Sequence, residues 1–374
     1  MVYIATFLCS IIFGHLATRI NPKTNRGLVF FCSAVSILIP SILAGLRDIS
    51  VGTDVSVYVA DNFNLAVATE TFTQYASRIW QKEWGYMFLV FFSSKIFPDV
   101  QGLLFSIELI MMVCVFLGAW KFREQVPLPL VLAIYFLFFY NMSYNIARQS
   151  IAVAIIFLAT SWLFEKKYIH FFIAVAVAVL FHKTAMVGIG QFLIFWFINS
   201  KTLKDNQQAK KLRGNVLVVG AVAFCFLLPY LTRILVSIGL LSSRYLDYFE
   251  LSSVSDNLLN SLVYLLEIVF VMLFAKNFEK ISTEFVYLKT NLFFTFITHQ
   301  LTNFMYYGDR LSLYFSVVNI ILLAKLPQAT SSKRDKTLAT IAIVAVLLFY
   351  WYYIYIVSGS AETYPYVAYW ESSL

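Results

Sequence analysis

The sequence predicts an all-α polytopic integral membrane protein. Hydrophobic residues make up 60% of its 374 residues and charged residues only 13%, whereas soluble globular chains have about 45–50% and about 25%. The mean hydropathy of +0.76 agrees with this composition. Apolar runs recur along the whole chain, with short charged clusters between them. So few charges could not cover a water-facing surface, and this excludes a chain of soluble domains.

About 20 apolar residues cross a bilayer as a helix, and the apolar runs predict about 12 transmembrane helices. In chain order, the predicted spans are 2–20, 28–46, 100–120, 127–141, 146–164, 168–181, 184–199, 215–240, 258–275, 285–306, 309–326 and 337–357. Several are shorter than 20 residues, as is typical of broken helices whose ends line a polar cavity. The apolar stretch 84–97 is interpreted as a re-entrant or interfacial segment.

The distribution of lysine and arginine predicts how these spans are oriented. If the basic segments face the cytoplasm, 19 of the 28 lysine and arginine residues lie inside, which satisfies the positive-inside rule with both termini outside. These segments are 19–26, 121–123, 165–167, 201–213, 276–280 and 331–336, with Lys289 and Lys325. A full crossing at 84–97 would reverse the downstream orientation and lose this agreement. The net charge of +8 therefore indicates orientation, and no nucleic-acid partner is expected.

The chain is predicted to form a single transmembrane domain, 1–374, with no cleavable signal peptide. Its predicted connecting segments are a long outer loop at 47–85, a basic cytoplasmic loop at 201–214, an outer loop at 242–257 and an outer-face tail at 358–374. No metal and no cofactor are expected. The four cysteines form no CxxC motif, and neither a DxD-type pair nor a GxxxxGK[ST] loop occurs. Energy would come from the substrate or from an ion gradient.

The strongest local signal for a site is a polar patch at 140–152, YNMSYNIARQSIA, at the start of an apolar helix. Tyr144 and Arg148 are four residues apart, as are Asn145 and Gln149, so they share adjoining helix faces. An unsatisfied polar group in lipid costs several kcal/mol, so this patch must face protein or water. An arginine held there suits bidentate contact with a diphosphate.

Two shorter clusters lie at predicted outer ends of spans. The stretch GLRDISVGTD at 45–54 offers Arg47 and Asp54 in a turn-forming context, and its simple alternative is an ordinary helix exit. The string FHKTA at 181–185 places His182 beside a cation, which suits a general base, and its alternative is a polar turn facing water.

Three further clusters complete the candidate site. They are SSRYLDYF at 242–249 with Arg244 and Tyr248, YYGDRLSLYF at 306–315 with Asp309 and Arg310, and the tail TYPYVAYW at 363–370 with Tyr364 and Tyr366. An adjacent Asp and Arg also suit a simple helix start, and the aromatic tail suits either an interface belt or a lid that stacks on sugars. Each single arginine could instead snorkel to lipid phosphates, but four with polar neighbours favour a site.

Seven motifs run along nearly the whole chain: GLRDxSVGTDxxxY (45–58), EWGY (83–86), NxxRQxIA (145–152), FHKTA (181–185), SSRYxxY (242–248), GDRLSxYF (308–315) and YPY (364–366). In this order they resemble the EpsG-like family of Wzy-type polysaccharide polymerases. The resemblance implies an undecaprenyl-diphosphate-linked oligosaccharide repeat unit as substrate, used at the outer face of the bacterial inner membrane. The growing glycan would move from its lipid to the non-reducing end of a new unit, with release of undecaprenyl diphosphate.

The resemblance also implies a metal-independent integral-membrane glycosyltransferase fold, contact with membrane lipids and a polysaccharide chain-length regulator as partner. It leaves O-antigen of lipopolysaccharide, capsule and exopolysaccharide open as the product. The predicted diphosphate clamp is Arg148 and Arg244, supported by Arg310 and Arg47. The predicted base is His182, with Asp54 and Glu83 as acidic alternatives. The predicted sugar-binding residues are Gln149, Asn145, Tyr144, Tyr248, Asp309, Tyr364 and Tyr366.

Other activities are compatible with parts of the pattern. A flippase for lipid-linked sugars predicts pseudo-symmetric halves, and no internal repeat is evident in the sequence. A membrane acyltransferase would use His182 as its base and predicts a polar cytoplasmic entrance, whereas the predicted cytoplasmic loops are mostly Lys-rich connectors. An O-antigen ligase has the same chemistry as a polymerase and differs only in its acceptor.

Overall fold

A computed structural model describes residues 1–80, 82–200, 206–240, 242, 246, 258–303 and 308–371. All regular elements in this part of the chain are helices, and its β-pairing is one isolated bridge between Arg47 and Ala368. The predicted all-α class is therefore confirmed. Where the sequence predicts one domain, the contacts divide the chain into two compact units, Met1–Met186 with Thr337–Leu374, and Val187–Lys336.

The first unit is a helical bundle that packs together helices from separate parts of the chain. Its helices are α1 (Val2–Arg19), α2 (Arg26–Gly45), α3 (Ala60–Val67), α4 (Phe72–Arg78), α5 (Trp84–Ile96), α6 (Val100–Phe122), α7 (Leu128–Tyr135), α8 (Ala147–Phe164) and α9 (Tyr168–Phe181), with α16 (Lys333–Trp351) from residue 337 onward. Helix α2 packs on α1 and α6, and α8 packs on α6 and α9. Helix α8 is buried along most of its length, and its alanines and serines let the neighbours approach closely.

The second unit has a polar seam inside an apolar bundle. Its helices are α10 (Val187–Asn199), α11 (Gln207–Ser237), α12 (Leu258–Leu273), α13 (Ala275–Ile281), α14 (Phe285–His299) and α15 (Asp309–Lys325). Asn291 Nδ2 donates a hydrogen bond to Asn319 Oδ1 at 2.8 Å, and Asn319 Nδ2 donates to Thr295 Oγ1 at 2.9 Å. These bonds join α14 to α15 and satisfy both polar atoms of the buried Asn319 amide.

Seven described helices are long and apolar enough to cross a membrane. They are Val2–Arg19, Arg26–Gly45, Val100–Phe122, Ala147–Phe164, Gln207–Ser237, Asp309–Ala329 and Lys333–Val357, and the pair α12 and α13, bent by 70°, would make an eighth span. The four other predicted spans correspond to shorter helices, at Leu128–Tyr140, Tyr168–Phe181, Val187–Asn199 and Phe285–His299. Helices of this length reach only about 20 Å, less than the ~30 Å hydrocarbon core.

The C-terminal tail folds back on the segment that follows α2. The backbone N–H of Tyr369 donates to the Leu46 carbonyl at 2.9 Å, and the N–H of Asp48 donates to the Val367 carbonyl at 2.9 Å. The start of α5, the start of α8 and the end of α9 lie at the same end of the first unit. Segments that are far apart in the sequence are thereby brought together at this end.

Candidate active site

The candidate site is built around Glu83, the residue immediately before α5. Its Oε2 accepts a hydrogen bond from Arg148 Nη1 at 2.7 Å, and its Oε1 lies 2.7 Å from His182 Nδ1. The backbone N–H of Lys183 also hydrogen bonds to this carboxylate. The Glu83 side chain is 8% exposed, whereas Arg148 and His182 are 18% and 19% exposed. The carboxylate is thus enclosed, and both of its side-chain partners retain some access.

The surroundings of Glu83 favour its charged form. Burial raises the pKa of the carboxyl, but the hydrogen bond with His182 and the charge of Arg148 outweigh this effect and lower the pKa below its usual 4.5. A carboxylate at Nδ1 holds the imidazole as the tautomer that has its proton on Nδ1. The lone pair is then on Nε2, and His182 can accept a proton there.

Gly85 allows Glu83 and His182 to come into contact. Gly85 lies in the first turn of α5, and a Cβ at this position would lie 3.1 Å from the carbonyl carbon and oxygen of Leu180. Leu180 belongs to the last turn of α9, and His182 follows that helix as its C-cap. The close approach of α5 to α9 therefore brings Glu83 within hydrogen-bonding distance of His182.

Two tyrosines surround the Arg148 guanidinium. Its Cζ lies 4.7 Å from the ring centroid of Tyr58 and 5.8 Å from that of Tyr86, within the range of cation–π attraction. The Tyr58 hydroxyl donates to Asp54 Oδ2 at 2.5 Å, and the same oxygen accepts from the Ala147 N–H at 3.3 Å. Burial and the Asp54 charge raise the pKa of Tyr58 despite Arg148, so its hydroxyl stays protonated. Asp54 thus holds the start of α8 and an aromatic wall of the site.

The sequence singles out neither tyrosine as a site residue. Tyr58 ends the GLRDxSVGTDxxxY motif and Tyr86 ends the EWGY motif, so the motif positions were the available signal. With 23 tyrosines in the chain, residue type alone could not single them out.

The loop at 45–54 is fastened directly to the start of α8. The N–H of Thr53 donates to Asn145 Oδ1 at 2.8 Å, and Asn145 Nδ2 donates to Thr53 Oγ1 at 3.0 Å. Gly52 has a φ of +94°, and a Cβ on it would lie 2.9 Å from the Tyr144 Cβ. Glycine is required here for the backbone conformation and for the close contact.

We expect Gly52→Ala to lower the free energy of unfolding by about 1–3 kcal/mol, because the new Cβ meets Tyr144 in a left-handed backbone conformation. Thermal unfolding of the purified protein in detergent measures this loss. Gly27→Ala is the matched control, because a Cβ there meets no atom within 4 Å. An equal loss of stability in both variants would contradict this account of the loop.

Arg47 belongs to the loop at 45–54 and is only 2% exposed. Its Cζ is 3.7 Å from the ring centroid of Tyr144, and its Nη1 donates to the Ala44 carbonyl at 2.9 Å. The buried Glu108 accepts from the Ser143 hydroxyl at 3.3 Å and interacts electrostatically with Arg47. These contacts make Arg47 a positioning residue for the loop. Its direct contact with a diphosphate stays a prediction.

The tail residues differ in their exposure. Tyr366 donates its hydroxyl proton to the Leu43 carbonyl at 2.9 Å, whereas Tyr364 is 47% exposed. Between the tail and the bundle, the Asn141 side chain donates to Thr363 Oγ1 at 3.0 Å and accepts from Trp351 Nε1 at 2.7 Å. Of the two tail tyrosines, Tyr364 is therefore the more accessible to a sugar.

The other predicted residues fall into three groups. Gln149 and Tyr144 are each 1% exposed and lie within the helix packing, so the bundle encloses them in this conformation. Asp309 and Arg310 begin α15 of the second unit. Arg244 and Tyr248 lie outside the described residues. The predicted roles of all six in substrate binding stay predictions.

The lowered pKa of Glu83 predicts how stability depends on pH. A carboxyl with a lower pKa in the folded than in the unfolded state stabilises the fold above the unfolded value, near 4.5, and loses this contribution as pH falls through its folded pKa. The unfolding free energy of the wild type minus that of Glu83→Gln should therefore stay constant above about pH 5.5 and shrink below pH 4.5. Unfolding curves between pH 3 and 7 measure this difference. A difference that grows towards acid pH would contradict the assignment.

The contacts of Glu83, Arg148 and His182 suit proton transfer and anion binding. Among the residues that the structure describes, no three His, Cys, Asp or Glu side chains are grouped to hold a metal ion. The site instead joins an oriented imidazole and a guanidinium through one carboxylate. The first can move a proton, and the second can bind phosphate.

Comparison with known proteins adds one finding. A family model described as the EpsG family matches residues 29–368, a range that includes Glu83, Arg148 and His182. Neither a curated protein nor a solved structure matches the chain. Because the family match covers nearly the entire sequence, the chain belongs to the EpsG family.

Proposed function

We propose that this chain is a polysaccharide polymerase that joins lipid-linked oligosaccharide repeat units by metal-independent glycosyl transfer. The observation that carries the proposal is the contact of Glu83 with Arg148 and His182, each at 2.7 Å. Membership of the EpsG family supports a role in polysaccharide polymerisation. The undecaprenyl diphosphate carrier and a product such as O-antigen, capsule or exopolysaccharide are part of the proposal and rest on the motif resemblance.

In the proposed reaction, an acceptor hydroxyl of one repeat unit attacks C1 of the glycan on another. The new C1–O bond forms as the bond from C1 to the lipid diphosphate breaks. His182 Nε2 takes the hydroxyl proton, and the charge on Glu83 stabilises the imidazolium that results. The electron pair of the broken bond leaves with the lipid diphosphate.

Arg148 is proposed to bind this leaving group. A guanidinium has five N–H donors. One of them holds Glu83 at 2.7 Å, and Arg148 also hydrogen bonds with the Tyr58 side chain. Tyr58 and Tyr86 limit the movement of the guanidinium, so little reorganisation is needed when charge develops on the diphosphate. Preorganised donors of this kind are effective in transition-state stabilisation because they act in a partly water-excluded site.

The proposed location is the outer face of the bacterial inner membrane. Arg148 is in the first turn of α8, and the opposite end of this 18-residue helix lies beside an ion pair between Lys121 and Glu165 at 2.6 Å. The site and this basic cluster are therefore about 25 Å apart along α8. The positive-inside rule assigns the basic end to the cytoplasm and the site to the outer side.

The proposal is tested by reconstituting the purified protein in vesicles with its lipid-linked repeat unit, in chelator and without nucleotide. A glycan ladder on electrophoresis is expected, together with release of the lipid diphosphate. Movement of the lipid across the vesicle membrane without a ladder would overturn the polymerase and favour a flippase. A ladder that needs added metal would overturn the metal-independent mechanism.

A further inference from the structure

A groove in the first unit has no role in the proposed reaction. It lies between α2 and α6, has a volume of about 500 Å³, and its wall is mostly aliphatic and aromatic, with Val29, Ile37, Val113 and Leu117 among its residues. Its volume is within the range of cavities that hold small ligands, about 300–1,000 Å³. The groove is open at the surface, where Leu117 is 45% exposed.

Basic and aromatic groups lie at one end of this groove. Arg26 and Trp120 both line it. Arg123 stacks on the Trp120 indole, with its Cζ 4.5 Å from the ring centroid, and donates to the Trp120 carbonyl at 2.8 Å. The Arg123 Nε also lies 3.4 Å from Glu124 Oε1, but the Glu124 side chain is 82% exposed. An exposed surface ion pair of this kind is weak, so it competes poorly with a phosphate.

The basic end of the groove and the proposed active site lie at opposite ends of α2. Arg26 begins α2, whereas Arg47 of the catalytic end lies two residues after Gly45, the last residue of the same helix. The 20 residues of α2 separate the two ends by about 30 Å. The basic end of the groove is therefore distant from the proposed diphosphate site and belongs to the end of the bundle that carries the basic connecting segments.

We propose that the groove binds an anionic glycerophospholipid, with one acyl chain along the apolar wall and the phosphate on Arg26 and Arg123. The apolar wall offers contact to the acyl chain, and the two guanidinium groups select an anionic headgroup. Basic sites between transmembrane helices on the cytoplasmic side are suited to such headgroups. Trp120 places an aromatic ring at the level where chain and headgroup meet.

Native mass spectrometry of the purified full-length chain tests this site with phosphatidylglycerol and phosphatidylcholine as probes. The wild type is expected to retain one phosphatidylglycerol in preference to phosphatidylcholine. Arg26→Gln should weaken this binding about fivefold, the loss expected for one cation near a lipid phosphate. Ala34→Trp, which fills the groove, should remove the bound lipid. Arg334→Gln, a change of an exposed arginine at the start of α16, should have no effect.

Three results would overturn the inference. The first is equal retention of phosphatidylglycerol and phosphatidylcholine by the wild type. The second is unchanged binding in Arg26→Gln, which tests the site even if Ala34→Trp does not fold. The third is displacement of phosphatidylglycerol by one equivalent of undecaprenyl phosphate, which would assign the groove to the polyprenyl substrate. Because the readout is bound lipid, each result is independent of whether the chain polymerises glycans.

Discussion

Replacing Arg148 by alanine is expected to lower the rate of glycan polymerisation by about 10²–10³-fold, the usual effect of losing one preorganised donor to a developing anion. The change removes the group proposed to bind the leaving diphosphate, and it also removes one of the two 2.7 Å contacts of Glu83. The initial rate of lipid diphosphate release in reconstituted vesicles measures the effect. The Michaelis constant for the lipid-linked donor should change less than kcat.

One further variant and one control test whether Arg148 acts through its guanidinium geometry or through its charge alone. Arg148→Lys keeps a cation but not the planar fork, so it should recover only part of the activity. Arg78→Ala is the matched control, because Arg78 is an exposed arginine at the end of α4 in the same unit. It should leave the rate unchanged. Near wild-type activity in Arg148→Ala would exclude the proposed clamp.

Replacing His182 by alanine is expected to lower polymerisation by about 10²–10⁴-fold, the range for loss of a positioned general base. Glu83→Gln should also lower the rate, because the neutral amide cannot stabilise the imidazolium. If the two residues act as one unit, the double variant should be little slower than His182→Ala alone. The rate of glycan transfer under single-turnover conditions gives all three values.

The matched control for this experiment is His170→Ala, an exposed histidine on α9, the helix that His182 follows. Its rate should equal that of the wild type. If the effects of Glu83→Gln and His182→Ala multiply instead of overlapping, the two residues act independently. That result would contradict the proposed function of their hydrogen bond.

The sequence could identify the residues of the site but not their contacts. Arg148 and His182 stood out because charged and titratable groups are rare in so apolar a chain. Glu83 appeared there only as an alternative base. Its place between Arg148 and His182 depends on contacts across 65 and 99 residues, which neither spacing nor periodicity can predict. These contacts favour Glu83 as the partner of the base rather than as the base itself.

The sequence also predicted the fold class, but it did not predict the ends of every helix. Hydropathy marked 12 apolar segments, and all of them contain helices. It could not predict that the helix Phe285–His299 ends after 15 residues, inside the predicted span 285–306, because this end depends on tertiary packing. It did predict the bounds of Tyr168–Phe181. The polar end of that helix is where His182 lies.

An isotope-labelling experiment follows the origin of the glycan in one reaction product and so tests the proposed transfer directly. An isotopically labelled lipid-linked unit is mixed with an unlabelled unit that can act only as acceptor, in vesicles containing the protein, and the product is analysed by mass spectrometry. The account predicts a labelled glycan joined to the non-reducing end of the unlabelled, still lipid-linked unit, formed by Arg78→Ala but not by Arg148→Ala or His182→Ala. Formation of the same product at the wild-type rate by both Arg148→Ala and His182→Ala would contradict it.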